Sequence, residues 1–242
     1  MSVQISTLPE PRRDGVGVVL ASTWSVGTPE RQKATVAAIT RAWESRDWPH
    51  EGLLSYSVHI GTDGSTLLHY SQWRDLDAYE EFVASAANGR DGRNAEIDAA
   101  VPGIERQGLA KYEPYRGRSL NERAERADSA RVPGCIVIVD VRFTGPDPAR
   151  QRAWVDSVFA ALDGDEPHPG GISAHFHTSL DGTRVLNYAE WESEQAHVEA
   201  LATPGEGVGA ATEAWRRVQR HPGLAEGGSV KRYLPGVSFS QG

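Results

Sequence analysis

The sequence predicts an α+β protein made of two ferredoxin-like βαββαβ domains in tandem, and three observations carry that expectation. The segment GLLSYSVHIGTDGSTLLHYSQW at residues 52–73 returns as GGISAHFHTSLDGTRVLNYAEW at residues 170–191, 118 positions later. Self-similarity at a fixed spacing marks a duplicated unit. Each copy is centred on Asp-Gly, at Asp63 with Gly64 and at Asp181 with Gly182, between period-two runs of aromatic and branched residues, the signal of a β-hairpin. Around each hairpin the patterns follow one order: strand, helix, strand, strand, helix, strand.

A polar start at residues 1–14 precedes the apolar run GVGVVLASTW at residues 15–24, which reads as the first strand. Its counterpart is GCIVIVDVRF at residues 134–143, with Gly15 matched to Gly134 and Trp24 to Phe143. TPERQKATVAAITRAWES opens with Pro and an acid and carries Val36, Ile39 and Trp43 near helical spacing; PARQRAWVDSVFAAL places Trp154, Val158 and Leu162 at intervals of four. Both predict amphipathic helices lying on a sheet. After the hairpins, acidic, alanine-containing stretches at residues 75–87 and 193–202 predict second helices, and residues 93–100 and 210–219 predict further helical segments. PGIERQGLAKYEP and PGLAEGGSVKRYLP, beginning at Pro102 and Pro222, read as a turn and a last strand. Residues 115–133 are charged and poor in apolar side chains, which predicts an exposed linker and sets the domains at residues 1–120 and 121–242.

Bulk properties narrow the function. The 242 residues carry a net charge of -8, which leaves no electrostatic footprint for nucleic acid or an anionic membrane. Cys135 is the single cysteine, so no intramolecular disulfide forms, and its apolar surroundings predict a buried thiol. No leader-like segment or membrane-length apolar run is present, and the expectation is a soluble cytoplasmic protein. A split βαβ sheet has helices on one face only. A duplicated chain can cover both open faces by packing them together as an intrachain pseudo-twofold pair, with a further homodimer left open.

Several short features then combine: Gly before the first hairpin strand, a His near its end, the Asp-Gly turn, and [HN]-Y-x-x-W followed by an acidic helix. In this combination the chain resembles the antibiotic biosynthesis monooxygenase family, within the dimeric α+β barrel superfamily, over most of residues 15–115 and 134–236. In the cofactor-independent anthrone oxygenases of that family an Asn, a Trp and a Tyr at spacings of four and six line the pocket. The resemblance carries this pattern onto His69, Trp73 and Tyr79, with His in place of Asn, and adds Arg93 as the pocket arginine. In the second half it falls on Asn187, Trp191 and His197, with Ala211 at the arginine position. The first half is therefore the expected site and the second a secondary candidate.

A His at position 69 can serve as a base or as a hydrogen-bond partner to a phenol near neutral pH. The resemblance implies oxidation of a polycyclic aromatic polyketide by molecular oxygen, without cofactor. Polyketide cyclisation or isomerisation without oxygen, and a non-catalytic role as a small-molecule binding or structural protein, are the alternatives. Tyr70 and Tyr188 should face away from the site residues and pack. His59 and His177 recur identically; a two-residue turn puts His59 opposite Leu68, away from His69, and predicts a structural role for both. His50 and His168 read as loop-ordering. His175 and His177 lack a third ligand at metal spacing, and no Gly-rich phosphate loop follows a strand, so neither metal nor nucleotide is expected. Related domains bind haem, but the His and Asn positions known for the haem-degrading relatives do not map cleanly onto this chain, so haem is not the expected cofactor.

Overall fold

The computed structural model describes residues 2–6, 10–85, 89–120, 132–164, 166, 168–202 and 212–242. Two compact units divide the chain: Met1–Tyr112 with Tyr233–Gly242, and Glu113–Arg232. The first contains β1 (Val3–Ser6), β2 (Val18–Ser25), α1 (Pro29–Glu44), β3 (Leu53–Gly61), β4 (Thr66–Trp73), α2 (Leu76–Ala84), α3 (Arg90–Ala100) and the short β5 (Glu105–Arg106). It also takes the start of β6 (Ala110–Ser119) and most of β10 (Ser229–Gln241). Its strands run in the order β1-β10-β3-β4-β2-β6, with β5 on β2. The second contains β7 (Cys135–Arg142), α4 (Pro148–Leu162), β8 (Gly171–Ser179), β9 (Arg184–Trp191), α5 (Glu194–Ala202) and α6 (Glu213–Gln219), in the order β6-β8-β9-β7-β10. The α+β class and the ferredoxin-like succession of elements are both present.

Local chemistry explains the repeated parts. Gly64 and Gly182 take φ of 72° and 74°, left-handed values that glycine accepts without penalty. Asp63 Oδ1 accepts from the amides of Ser65 and Thr66 at 2.8 and 2.9 Å, and Asp181 Oδ1 from that of Thr183 at 3.0 Å. At the helix starts, Thr28 and Asp147 accept from the amides of Arg31 and Arg150, each ahead of a first-turn Pro. A buried glutamine ties each of these helices to its hairpin: Gln32 Nε2 donates to the carbonyls of Gly61 and Thr66 at 2.9 and 2.8 Å, and Gln151 Nε2 donates to Ser179 Oγ at 2.9 Å and to the Arg184 carbonyl. The identical Arg-Gln pair in both helices is the sequence trace of this device.

Hairpin register sorts the side chains. Val58 pairs with His69 and Tyr56 with Ser71, so Tyr56, Val58, His69, Ser71 and Trp73 share one face of the sheet. That face meets α1, α2 and α3 in a core that includes Leu20, Ile39, Val58, Leu67, Trp73, Phe82 and Ile97. In the second unit Cys135, Val137, Val155, Phe159, Phe176 and Trp191 form the corresponding core. Tyr70 and Tyr188 are fully buried on the opposite face, as expected.

Three details differ from the sequence expectations. Val18 pairs with Trp73 and Cys135 with Trp191, and the amides of Gly17 and Gly134 donate to the carbonyls of those tryptophans at 3.0 Å. Gly17, not Gly15, therefore matches Gly134, and Val26, not Trp24, matches Phe143. The connection into α4 holds two more residues than that into α1, and this hides the shift from an ungapped comparison. Residues 115–119 belong to β6 rather than to a linker; their charges lie on an exposed strand, where Arg116 and Arg118 pair with Asp156 and Asp163 at 2.6 Å. Residues 121–131, Ala87 and residues 210–211 lie outside the described residues. The polar start contains β1, paired with β10 through Val3 to Gln241. Among the described residues no helix is long and apolar enough to cross a membrane.

Candidate functional site

In the first unit a cavity of about 240 Å³ opens between the helix-facing side of the sheet and helices α1, α2 and α3. His69, Trp73, Tyr79 and Arg93, the four residues singled out in the first half, all line it. The alternation of β4 puts His69, Ser71 and Trp73 on that side, Tyr79 comes from the first turn of α2, and Arg93 from α3.

His69 is 6% exposed. Its Nδ1 lies 2.5 Å from the hydroxyl oxygen of Tyr56, and its ring lies against Trp24 at 4.0 Å between centroids. Its Nε2 is buried and has no hydrogen-bond partner among the described residues. Burial, reinforced by the positive charge of Arg106, pushes the imidazole down to about 3, so the ring is neutral at pH 7. Tyr56 packs in a cluster with Trp43 at 4.7 Å and Phe239 at 5.8 Å, and burial raises its phenol well above the usual value, so its proton is retained.

Trp73 forms the floor. Its Nε1 donates to Ser71 Oγ at 3.1 Å, and its rings contact Tyr79 edge-on at 5.3 Å and Phe82 at 5.2 Å. Arg93 is 6% exposed and lies 4.8 Å over the Trp43 ring. Burial lowers its pKa, but a guanidinium keeps its charge across the working range. Arg106 sits 4.3 Å over Trp24 and pairs with Asp98 through two bonds of 2.9 and 3.2 Å. Arg90 lines the cavity as well, and none of the lining residues is acidic. The space is thus lined by aromatic side chains, with positive charge at its borders and one neutral imidazole, that of His69, in its wall.

The second unit repeats the frame but not the polar interior. His197 meets Trp191 edge-on at 4.9 Å, as Tyr79 meets Trp73. Ala174 stands where Tyr56 stands, Ala189 where Ser71 stands, Val141 where Trp24 stands and Asn187 where His69 stands. Without a hydroxyl at position 189, Trp191 Nε1 has no hydrogen-bond partner among the described residues, and neither does Asn187 Oδ1. Arg232 Nε donates to His197 Nδ1 at 2.9 Å, and burial followed by that cation pushes His197 down to about 4. Ala211 lies outside the described residues.

The remaining histidines have structural surroundings. His50 and His168 accept from the amides of Gly52 and Gly170 at 3.0 and 3.2 Å, ordering the loops before the hairpins. His59 pairs opposite Leu68 on the face away from the cavity, and His177 Nδ1 lies 3.3 Å from the Leu186 carbonyl. Burial pushes them down to about 3 and about 4. For His59, His69 and His177 the folded value lies below the ordinary 6.5. Between pH 6.5 and about 4 the unfolded chain therefore binds protons that the folded chain does not. Stability should fall with pH through that window, by up to about 1.4 kcal/mol per pH unit for each ring. Denaturant titrations at pH 7, 6 and 5 test this; an unmoved midpoint contradicts it.

Tyr56 and Arg106 were not singled out from the sequence. Face parity across the Asp63 turn already places Tyr56 beside His69, so its signal was legible. Arg106 reaches the cavity through the short β5 pairing with Trp24, which no periodicity marks.

Comparison with known proteins adds three findings. The sequence pattern of the family described as antibiotic biosynthesis monooxygenase matches residues 22–89 and again residues 136–206. The tetracenomycin-F1 monooxygenase of Streptomyces glaucescens is 40% identical over 63 residues, which cover 26% of this chain and 54% of that protein; the chain thus spans about half the length of the curated relative it matches. A solved structure described as an anthrone oxidase-like protein superposes with a TM-score of 0.69 at 18% identity, over 99% of this chain and 97% of that one. A putative monooxygenase from Lactobacillus acidophilus does so with a TM-score of 0.55 at 9% identity, over 93% and 97%. At such identities the likeness to solved structures establishes the fold.

Proposed function

The chain belongs to the antibiotic biosynthesis monooxygenase family, and on that premise we propose that its first unit oxidises a planar, phenolic polycyclic aromatic of the polyketide class with molecular oxygen, using no metal or organic cofactor. The observation that carries this is the buried, unpartnered Nε2 of His69 in an aromatic slot bordered by Arg90, Arg93 and Arg106 and free of acidic side chains. Such a slot favours an aromatic that becomes an anion. Trp24, Trp43 and Trp73 supply aromatic lining, and the guanidinium groups offset negative charge.

The chemistry needs little more from the protein. Loss of a proton from an anthrone gives an electron-rich anion. That anion passes one electron to oxygen, and the resulting radical and superoxide combine into a peroxide. After protonation, the hydroperoxide loses water to leave a carbonyl, so a CH2 group and O2 become C=O and H2O. The protein's contribution is to stabilise the anion and hold the ring out of bulk water.

The test is oxygen uptake by the full chain, treated with chelator and free of flavin, with 1,8-dihydroxyanthrone and a panel of hydroxylated tricyclic and tetracyclic aromatics. One oxygen consumed per quinone formed, above the rate without protein, is the expected result. Turnover without gain of oxygen mass points to cyclase or isomerase chemistry. Saturable binding without turnover points to a binding protein. Either outcome overturns the oxygenase reading.

A further inference from the structure

We infer that Tyr56 is a positioning residue that fixes the tautomer of His69, so that the imidazole presents an Nε2–H donor, not a basic lone pair, to an oxygen of the bound aromatic. This rests on the functional reading above and assigns His69 its part in it. Neutral imidazole carries one proton, and the hydrogen bond at the other nitrogen decides where it sits. Tyr56 Oη and His69 Nδ1 are 2.5 Å apart, and His69 Nδ1 is the hydrogen-bond partner of that hydroxyl. When the phenol donates, Nδ1 accepts, the proton occupies Nε2, and a single buried group, Nε2–H, is left for a ligand. The reverse arrangement leaves two groups unsatisfied, the phenolic proton and the Nε2 lone pair.

Surrounding geometry holds the pair in place. Tyr56 packs in one cluster with Trp43 and Phe239, and the His69 ring lies against Trp24. Burial acts in the same direction: it keeps the phenol protonated and makes the imidazole a poor proton acceptor. In the second unit Ala174 and Asn187 replace both members of the pair together. An amide at that position also offers an N–H donor but no base, so the two halves share a donor and only the first has the relay.

The decisive measurement is the 15N spectrum of the full chain with ring-labelled histidine at pH 7, the His69 signals being identified by their loss in His69→Phe. The expected result is a protonated, pyrrole-type Nε2 and an unprotonated Nδ1 in the unsubstituted protein. In Tyr56→Phe, His69 should become a mixture of tautomers. Saturation with 1,8-dihydroxyanthraquinone should shift Nε2. A protonated Nδ1, an unchanged tautomer in Tyr56→Phe, or an Nε2 unmoved by saturating ligand overturns the inference. Should Tyr56→Phe not fold, the spectrum of the unsubstituted protein decides alone. In turnover, His69→Asn should lose about ten-fold and His69→Phe about 10²- to 10³-fold; equal losses overturn the donor role. Absence of turnover in every protein removes the oxygenase reading, whereas the tautomer is read without substrate.

Discussion

Alanine at Trp73 is expected to lower the unfolding free energy by about 3–5 kcal/mol, the range for deleting a large buried aromatic. Trp73 is 3% exposed and supports Phe82, Tyr79 and the Ser71 hydroxyl at once. Trp191→Ala should cost as much, since Trp191 is 4% exposed and holds the same place in its own unit. Denaturant titration of the whole chain measures both. The functional outcome should separate them: only Trp73→Ala should also abolish binding of 1,8-dihydroxyanthraquinone under conditions where the variant remains folded. Equal loss of binding in the two variants would show that the working pocket is not confined to the first unit.

Replacing Arg93 by methionine is expected to reduce kcat/KM by about 10²-fold, the effect of removing one charged stabiliser of a developing anion. Stability should move the other way or not at all. A buried guanidinium is costly to desolvate, and an apolar chain of comparable length fills much of its volume over Trp43. Activity assays beside denaturant titrations distinguish this from a structural role, in which both quantities would fall together. Arg93→Lys should recover only part of the loss, because a compact ammonium cannot lie flat over the indole as a guanidinium does.

The fold was legible wherever the sequence repeats a local rule. Asp63 with Gly64, and Asp181 with Gly182, set the hairpins and through them the face on which His69 and Tyr70 lie. The placement of His59 opposite Leu68 followed from the same turn. The first-strand match failed because the connections into α1 and α4 differ in length, and the hairpin copies on which the comparison rested lie beyond that difference. Charge misled at residues 115–119, where a strand carries Arg116 and Arg118 on its exposed side and so resembles a linker in composition. Of the cavity, the residues on β4 and α2 were within reach. Arg106 was not, and neither was Phe239 behind Tyr56, since both arrive through long-range pairing that no window of sequence contains.

One arrangement governs how this protein can come into being. Phe239 is 1% exposed, stacks on both Trp43 and Tyr56, and belongs to the segment Tyr233–Gly242 that lies in the first unit. On the ribosome, the aromatic cluster of Trp43, Tyr56 and Phe239 behind the pocket therefore stays incomplete until a strand emerges that follows the whole of the second unit. Until then Tyr56 and Trp43 lack the ring that both contact, and the β3 edge that β10 will cover is open to solvent and to other nascent chains. Translation order thus leaves the earlier-synthesised unit waiting on residues made after the second unit.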